Sequence, residues 1–393
     1  MKQNASRSVA RKVMSEFADL TGLLSNSKVP RRYLWTDAFA VCTFLGLYRQ
    51  TSDNLYKNLA LHLVDQVHFI LGRHRDDDLR TGWISGLREQ EGRLHPTRGG
   101  LRIGKGMNER GPNDPYDEQL EWDRDGQYYH YLTKWMHALN RASRVTGDST
   151  YNSWAIELAK TAHAKFTYEP SSGEQKSMHW KMSIDLSYPL VASMGQHDPL
   201  DGFITYLQLQ SPAVKDSNKS KRFDLSEEIA DMSNICKGKN WVTDDLLGIG
   251  ELLSAAYKLA QLIILEGFDQ TDFLEVLLDS SMIGLESYAR GMNPLKLPAN
   301  YRLAFRELGL SIGLHAIEKM QGLVKQAPNN VDMKQRLHSR VESLMRHTLL
   351  SEVIETFWLE PVNRQANTWR EHRDINMVML ATSLAPDGYL TLE

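Results

Sequence analysis

Residues 132–155, LTKWMHALNRASRVTGDSTYNSWA, decide the fold, because they contain a complete pair of helices and the turn between them. Leu132, Trp135 and Leu139 recur at the spacing that places apolar side chains on one face of an α-helix. The Gly-Asp pair at 147–148 ends that helix and begins the next, since glycine favours helix C-termini and aspartate caps helix N-termini. The stretch therefore predicts an αα-hairpin.

The same helical periodicity recurs along the whole chain in two forms, and strand patterns are scarce. The segments predicted as interior helices, apolar on most faces, are 34–49, 123–146, 184–195, 245–264, 301–317 and 374–384. The segments with a single apolar face are 5–24, 53–72, 150–166, 199–209, 270–290 and 333–350. A helix that is apolar all round belongs in an interior, and a one-sided helix belongs in an outer layer.

This alternation predicts an all-α fold in which about six helical hairpins close into a double-walled ring, an (α/α)6 toroid. No Pro- or Ser-rich linker divides the chain, so we predict a single domain over residues 1–393. Residues 211–241 are polar and Lys-rich, and we predict an excursion from the ring there with a short helix at 225–236.

Composition excludes several classes of protein. A formal charge of -3, from 46 Lys and Arg against 49 Asp and Glu, gives no general attraction for nucleic acid. No stretch has the apolar length or leader pattern expected of a membrane span or signal peptide. Cys42 and Cys236 show no metal or redox spacing. We predict a cytoplasmic protein without cofactor or metal, and without a membrane or nucleic-acid partner.

The stretch GGLRIGKG at 99–106 resembles a Walker A phosphate loop, but its context is wrong. Gly106 follows Lys105 where the motif needs Ser or Thr, and no strand pattern precedes the loop. It belongs to a long connection at 74–118 that is rich in basic residues. Loops of that length are commonly binding loops, and guanidinium groups here could clamp a carboxylate or phosphate. A solvated basic loop is the equal alternative.

Interior helices of such a ring all begin at one end, so residues at their starts meet around one mouth. The residues found there are Trp35, Asp37, Glu121, Trp122, Asp123, Asp125, His179, Trp180, Lys181, Asp185, Asp244, Asp245, Tyr301, Arg302, Trp369, Arg370, His372, Arg373 and Asp374. Indole faces for sugar rings and carboxylates for hydroxyl groups are typical of a carbohydrate pocket. For each aspartate, helix capping is the competing explanation.

We predict structural roles, and no catalytic role, for two short polar stretches at 197–198 and 76–78. We predict that His197 and Asp198 form a turn and a helix cap, since Pro199 follows them. The acidic run at 76–78 lies beside arginines at a helix end and is predicted to be a solvated turn. No metal-binding HExxH and no Gly-x-Ser-x-Gly motif is present.

Local patterns over about residues 30–385 resemble the six-hairpin glycosidase superfamily. RYLWTDAFAVCTFLGLYRQTSDNLYKN at 32–58 and the stretch at 132–155 are similar to its hairpins, and SIDLSYPLVASM at 183–194 resembles a segment of unsaturated glucuronyl hydrolases. That resemblance implies that Asp185 is an acid/base catalyst, with Asp123 or Asp125 as the second family aspartate. N-acylglucosamine 2-epimerases share the ring and use paired histidines, for which His179 and His372 are the candidates.

The leading prediction is a hydrolase that cleaves a small saccharide, neutral or anionic, by carboxylate acid/base catalysis. The acid/base candidates are Asp125 and Asp185, with Asp123 and Glu91 in reserve. The candidate sugar platforms are Trp35, Trp122, Trp180 and Trp369. The candidate anion contacts are Arg102, Arg370 and Arg373, and the other substrate-binding candidates are Asp37, Tyr129, His179, Lys181 and His372. A sugar epimerase or isomerase with His179 and His372 as bases, and a non-catalytic saccharide-binding or scaffold protein, remain the alternatives.

Overall fold

The computed structural model describes residues 2–24, 29–171, 173, 175–211, 223–290, 296–326 and 331–392. Contacts divide the chain into two compact units. One contains Asp19–Lys239 and is called the 19–239 unit below. The other contains Met1–Ala18 and Asn240–Glu393 and is called the 240–393 unit. The single domain predicted from the sequence stays a prediction.

The hairpin at the centre of the sequence forms as predicted. Helix α6 runs from Tyr129–Thr146 and ends at Gly147, whose φ of 76° is the left-handed conformation of a helix C-terminus. Helix α7, Ser149–Phe166, follows at once, and the Asp148 carboxylate accepts a hydrogen bond from the Thr150 backbone N–H at 2.9 Å. Buried side chains surround most of α6, whereas α7 is buried along one face.

Three such hairpins build the 19–239 unit. The first helix of the chain is α1 (Lys2–Leu20). The helices of this unit are α2 (Leu34–Thr51), α3 (Asn54–Leu71), α4 (Glu89–Leu94), α5 (Glu118–Asp123), α6, α7, α8 (Asp198–Leu209) and α9 (Ser226–Cys236). Helices α2, α6 and α8 are the inner members, and they pack side by side while α3, α7 and α9 pack outside them. Most of α1 belongs to the other unit.

Short strands fix the approach to α6 and α8. The strands are β1 (Gln127–Tyr128), β2 (Thr167–Tyr168), β3 (Ser177–Met178), β4 (Lys181–Met182) and β5 (Pro189–Val191). β1, β4 and β5 form one antiparallel sheet in that order, with Tyr128 opposite Lys181, and β2 pairs with β3. Because β1 leads directly into α6, this sheet holds the residues at the start of that helix.

The 240–393 unit is also helical. Its helices are α10 (Leu246–Glu266), α11 (Thr271–Arg290), α12 (Ala304–Lys325), α13 (Val331–Met345), α14 (Leu349–Leu359), α15 (Asn367–Glu371), α16 (Arg373–Leu384) and α17 (Asp387–Leu390). α10, α12 and α16 are buried nearly all round. Among the described residues, α10 alone is long and apolar enough to cross a bilayer, against our expectation, but 83 % of its most apolar window is buried within the protein.

The predicted fold class is confirmed: the chain is all-α, and each unit has the inner and outer helices of (α/α)6 hairpins. The 74–118 connection is long and irregular apart from α4 and the first residue of α5. The short helix predicted at 225–236 forms as α9, whereas most of the polar stretch before it, 212–222, lies outside the described residues. The one-sided segment predicted at 333–350 is two helices, α13 and the start of α14.

The prediction of an interior helix at 184–195 is wrong, because that stretch is a β-hairpin turn and strand β5. Ile184, Leu186 and Leu190 are buried while Ser187 and Pro189 are exposed, which is the two-residue alternation of a strand. The inner helix of this hairpin is α8, which is buried on all sides, so the one-sided character predicted for 199–209 is also wrong.

Candidate functional site

The glycine-rich stretch at 99–106 is anchored by a buried aspartate. Asp125 is 0 % exposed, and its carboxylate accepts hydrogen bonds from Arg102 at 2.8 Å and Arg75 at 3.3 Å. The backbone N–H groups of Gly104 and Gly126 donate to the other carboxylate oxygen at 2.9 and 3.1 Å. Four donors leave this carboxylate no capacity for substrate, so its contacts fit a structural anchor and not the catalytic role predicted for it.

Close packing explains the glycines of this loop better than phosphate binding does. A Cβ added at Gly104, where φ is 93°, would overlap the Arg32 carbonyl oxygen, so the loop lies directly against the chain entering α2. The Leu34 N–H donates to the Ile103 carbonyl at 3.0 Å and joins the same two segments. The loop therefore fixes the start of α2.

Aromatic side chains gather where α2 and α6 begin. We call them the His130 cluster; its members are Tyr33, Trp122, Tyr128, His130, Tyr131 and Trp180. The Trp122 and Trp180 rings meet edge to face with centroids 5.4 Å apart, and the His130 ring stacks on Trp180 at 6.2 Å. Trp122 is 49 % exposed, and His130 and Trp180 are half-buried, so the cluster has an accessible aromatic face.

Charged side chains flank this cluster at two points. His130 Nδ1 lies 3.5 Å from the carboxylate of Asp198, which is buried in the first turn of α8. Lys105 Nζ lies 5.6 Å from the centroid of the Tyr33 ring, and burial lowers its pKa although Asp123 and Asp125 raise it. The Tyr33 hydroxyl bonds the Tyr131 hydroxyl at 2.7 Å. A base, a carboxylate and a cation therefore surround one aromatic surface.

Lys181 has a structural position beneath the cluster and no free donor for a substrate. Its ammonium donates to the Glu121 carboxylate at 2.8 Å and to the backbone carbonyls of Glu121 and Arg124 at 2.7 and 2.9 Å. Burial lowers the pKa of Lys181, and the Glu121 contact opposes that effect. All three N–H donors are used, so Lys181 ties β4 to α5.

A second polar group surrounds Arg80 where the 74–118 connection meets the β4–β5 turn. We call it the Arg80 cluster; its members are His74, Asp78, Arg80, Glu109 and Asp185. The guanidinium contacts Asp78 at 2.7 Å, Glu109 at 2.5 Å and Asp185 at 3.0 Å. The prediction that residues 76–78 form a solvated turn is wrong for Asp78, whose side chain is mostly buried in this contact.

The pKa values of Glu109 and Asp185 are shifted in opposite directions. Burial raises the pKa of Glu109, whose side chain is 6 % exposed, despite contacts with Arg80 and the Ile184 N–H. Burial would also raise the pKa of Asp185, but hydrogen bonds from Ser187 and Ser183 and the charge of Arg80 lower it below its ordinary value. The pKa values of two carboxyl groups on one guanidinium are thus shifted in opposite directions, a pattern found in acid/base pairs. Next to Asp185, Leu186 adopts a φ of 60°, which a leucine rarely does.

The structure separates the predicted site residues into three groups. Those held in the interior of the 19–239 unit are Trp35, Asp37, Arg102, Tyr129, Lys181 and Asp125. Those at accessible positions in that unit are Trp122, Asp123, Trp180, Asp185, Glu91 and His179. Those in the 240–393 unit are Trp369, Arg370, His372 and Arg373, so their convergence with the others stays a prediction.

Several specific roles do not suit these positions. Trp35 packs on Phe39 with ring centroids 4.4 Å apart and is 3 % exposed, so it cannot be a sugar platform. The Tyr129 hydroxyl is fully buried against Tyr206. The Arg102 guanidinium donates to the Asp125 carboxylate and to two backbone carbonyls, and these contacts do not fit the predicted role in binding a substrate anion.

The local positions of four other candidates are as follows. Asp37 accepts from the Tyr33 N–H at 2.9 Å, which is a helix-cap contact at the start of α2. The His179 ring stacks on Tyr168 at 4.3 Å, on the β2–β3 hairpin. Trp369 is 4 % exposed and stacks on Trp358. Glu91 is exposed on α4.

Sequence reasoning missed the residues that complete both clusters. Tyr33, Tyr131 and His130 lie at helix starts, so the rule that selected Trp122 could also have found them. Glu109 carries no such signal, because its role depends on contacts with Arg80 and Ile184 that are distant in sequence. Within the described part of the chain, no three His, Cys, Asp or Glu side chains are placed to hold a metal ion.

Comparison with known proteins finds likeness in structure and none in sequence. No family model matches the chain, and no curated protein matches it. A sugar epimerase from a ruminal bacterium is similar with a TM-score of 0.44 and 8 % identity, over 80 % of this chain and 76 % of that one.

Two cellobiose 2-epimerases are similar to the same degree. The enzyme from Bacillus thermoamylovorans B4167 has a TM-score of 0.43 and 11 % identity, over 79 % of this chain and 75 % of its own. The enzyme from Spirochaeta thermophila DSM 6192 has a TM-score of 0.44 and 11 % identity, over 79 % and 73 %. All three neighbours are similar to this chain in structure at 8–11 % identity. At TM-scores below 0.5 they identify neither a reaction nor a site in this chain.

Proposed function

We propose that this chain is a saccharide-modifying enzyme, a sugar epimerase or isomerase, with its active site at the His130 cluster. The observation that carries the proposal is the position of His130, half-buried against Trp180 and 3.5 Å from the Asp198 carboxylate. An imidazole with a carboxylate close to it and an aromatic surface beside it has the parts needed for general base catalysis on a sugar.

The proposed chemistry is a proton transfer at carbon. His130 removes the proton from the carbon next to the carbonyl of the open-chain sugar, and the electron pair moves onto the carbonyl oxygen as an enediolate. Return of a proton to the opposite face of that carbon gives the epimer, and its return to the neighbouring carbon gives the keto isomer. Lys105 is the cation of this region that can offset the enediolate charge. Trp122 and Trp180 would contact the sugar.

Solvent isotope incorporation tests this proposal. The full chain is incubated in D2O with a panel of neutral, uronic and phosphorylated saccharides, chosen first by thermal shift because a ligand stabilises the folded state. Recovered sugar should carry one deuterium at the carbon next to the carbonyl, with epimer or ketose and no cleavage product. His130→Asn should lower this exchange at least about 100-fold.

His179→Asn is the matched control, since it removes a predicted histidine that stacks on Tyr168 on the β2–β3 hairpin. It should retain the exchange rate. Exchange that survives in His130→Asn would overturn the assignment of the base. Saturable binding without exchange or cleavage would favour the non-catalytic alternative.

A second candidate, hydrolysis of a glycosidic bond, rests on the Arg80 cluster. Glu109 and Asp185 both contact the Arg80 guanidinium, and their pKa values are shifted in opposite directions. Glu109 would protonate the leaving oxygen and Asp185 would activate water, which keeps the catalytic role predicted for Asp185 and replaces Asp125.

Release of reducing ends from a panel of disaccharides tests hydrolysis separately. Glu109→Gln and Asp185→Asn should each abolish release, and Glu91→Gln, which changes an exposed acid on α4, should not. Cleavage that is insensitive to both variants would exclude this pair.

A further inference from the structure

A cavity of about 770 Å³ lies on the outer side of the 19–239 unit, between α3, α4 and α7. It shares no lining residue with the His130 cluster or the Arg80 cluster. The lining residues that matter are Asp65, His68, Phe69, Asp76, Arg93 and Trp154. Its volume is sufficient for a small organic molecule.

One part of the cavity wall consists of aromatic rings without charge. Phe69 is 47 % exposed, and the half-buried Trp154 meets His68 edge to face with ring centroids 5.0 Å apart. Burial lowers the pKa of His68 to about 3, so its imidazole is neutral. Trp135 Nε1–H donates to His68 Nε2 at 3.1 Å, which leaves the ring proton on Nδ1.

The charges that line the cavity are mainly negative. Asp65 and Asp76 stand against one cation, Arg93, which already pairs with Glu89 at 2.8 Å. Among the described residues, Asp65 makes no ion pair. Burial raises the pKa of Asp65 and the charge of His62 lowers it. The residue is exposed, so its carboxylate is accessible to a ligand.

Two rings that line the cavity, Phe69 and Trp83, already contact cations of the protein itself. The Arg73 guanidinium lies 4.4 Å from the Phe69 centroid and 4.7 Å from the Trp83 centroid, and Arg93 lies 5.7 Å from Phe69. Glu89 contacts both guanidiniums and offsets one of their two charges. Of the charged residues that line the cavity, Asp65 and Asp76 are negative and Arg93 is positive, so the lining favours a further cation.

We propose that this cavity binds a small organic cation, a quaternary or alkyl ammonium group, with Asp65 as its counter-charge and Phe69 and Trp154 as its walls. Aromatic faces with a nearby carboxylate are the arrangement that recognises such cations, because the ring quadrupole attracts positive charge. The site is independent of the proposed function.

The test compares choline with its uncharged isostere, 3,3-dimethylbutan-1-ol, by calorimetric titration of the full chain. Choline should bind at least about tenfold more tightly, because the two probes differ in charge and hardly in shape. Asp65→Asn should lower choline affinity at least about tenfold. Glu91→Gln, an exposed acid of α4 that does not line the cavity, should leave the affinity unchanged. Thermal melts of each variant confirm folding.

A second variant separates the ring contribution from the charge contribution. Phe69→Leu keeps an apolar side chain and removes the quadrupole, so it should weaken choline binding severalfold without changing the affinity for the neutral isostere. A trimethyllysine peptide is the second arm, and tighter binding than choline would indicate a protein ligand as the source of the ammonium group. Equal affinity for choline and its isostere, or choline affinity unchanged in Asp65→Asn, would overturn the proposal.

Discussion

Gly250 of α10 lies against Gly309 of α12 so closely that the two helix backbones touch. A Cβ built at Gly250 would overlap the Gly309 carbonyl, and one built at Gly313 would lie 2.6 Å from the Gly250 Cα. Side chains interdigitate at most helix contacts and keep the axes roughly 8–10 Å apart. Because the glycines have no side chains, α10 and α12 approach more closely than that, and they pack over a long interface.

Gly250→Ala should lower the free energy of unfolding by about 2 kcal/mol or more, because the added methyl group must push two backbones apart. Urea denaturation measures the change. Gly322→Ala is the matched control, since Gly322 is exposed on α12 and its added methyl group would meet open space. That variant should gain about 0.5–1 kcal/mol from helix propensity. Equal effects of the two substitutions would contradict the contact.

Replacing Ser52 by glycine should make the protein more stable. It ends α2 in the left-handed conformation with a φ of 56°, a conformation that costs a residue with a Cβ about 1 kcal/mol. Ser52→Gly should therefore stabilise the chain by up to about 1 kcal/mol. The reverse change, Gly147→Ser at the equivalent end of α6, should destabilise it by a similar amount. Thermal melts of both variants give the comparison.

Asp125→Asn should destabilise the protein by about 3 kcal/mol or more. The substitution leaves the buried Arg102 and the neighbouring Arg75 without the carboxylate that compensates them. Asp123→Asn, at an exposed position two residues earlier, should change stability by no more than about 0.5 kcal/mol. Chemical denaturation distinguishes these outcomes, and a stable, inactive Asp125→Asn variant would return Asp125 to the catalytic candidates.

Alanine substitutions at Trp122 and Trp35 should have different effects on stability and on saccharide binding. Trp122→Ala should leave the melting temperature nearly unchanged and weaken saccharide binding at least about tenfold, because the ring is half exposed in the His130 cluster. Trp35→Ala should cost about 3–5 kcal/mol, since it empties a core position. Melting curves and saccharide titrations of the two variants provide the check, and normal saccharide affinity in Trp122→Ala would remove this residue from the site.

His315 should make stability depend on pH above neutrality. Burial lowers its pKa, but hydrogen bonds to Glu318 and Glu355 outweigh that effect and raise it to about 9, from 6.5 in the unfolded chain. The stabilisation is complete below pH 6.5 and is lost as pH rises through 9, by up to about 3 kcal/mol. His315→Gln should lose less stability than the parent between these values, measured by denaturation at each pH. Parallel profiles would contradict the prediction.

Local sequence patterns predicted the helical hairpins because each depends on residues close together in the chain. The α6–α7 hairpin follows from one apolar face and the Gly147-Asp148 turn. The structure confirms that Gly147 ends α6 and that Asp148 caps the start of α7. The turn at Asp185 was misjudged because its apolar residues alternate over too few positions to separate a strand from a helix.

The partners of the charged residues could not be predicted in the same way. Asp125 lies at a helix start in the sequence, but Arg75 and Arg102 reach it from 50 and 23 residues away and bury it. Glu109 joins Asp185 for a similar reason, since the irregular 74–118 connection brings it to the β4–β5 turn. Neither contact follows from periodicity.

The buried carboxylate beneath the 99–106 loop also has a kinetic consequence. Hydrogen bonds join this segment to both oxygens of Asp125 and to the first residue of α2, so we expect it to keep its conformation before any ligand binds. We therefore expect this segment not to close as a flap over the proposed saccharide site, and the backbone at Lys105 to keep its position when a ligand binds. Capture by this surface should then be governed by diffusion and orientation, with no slow closing step.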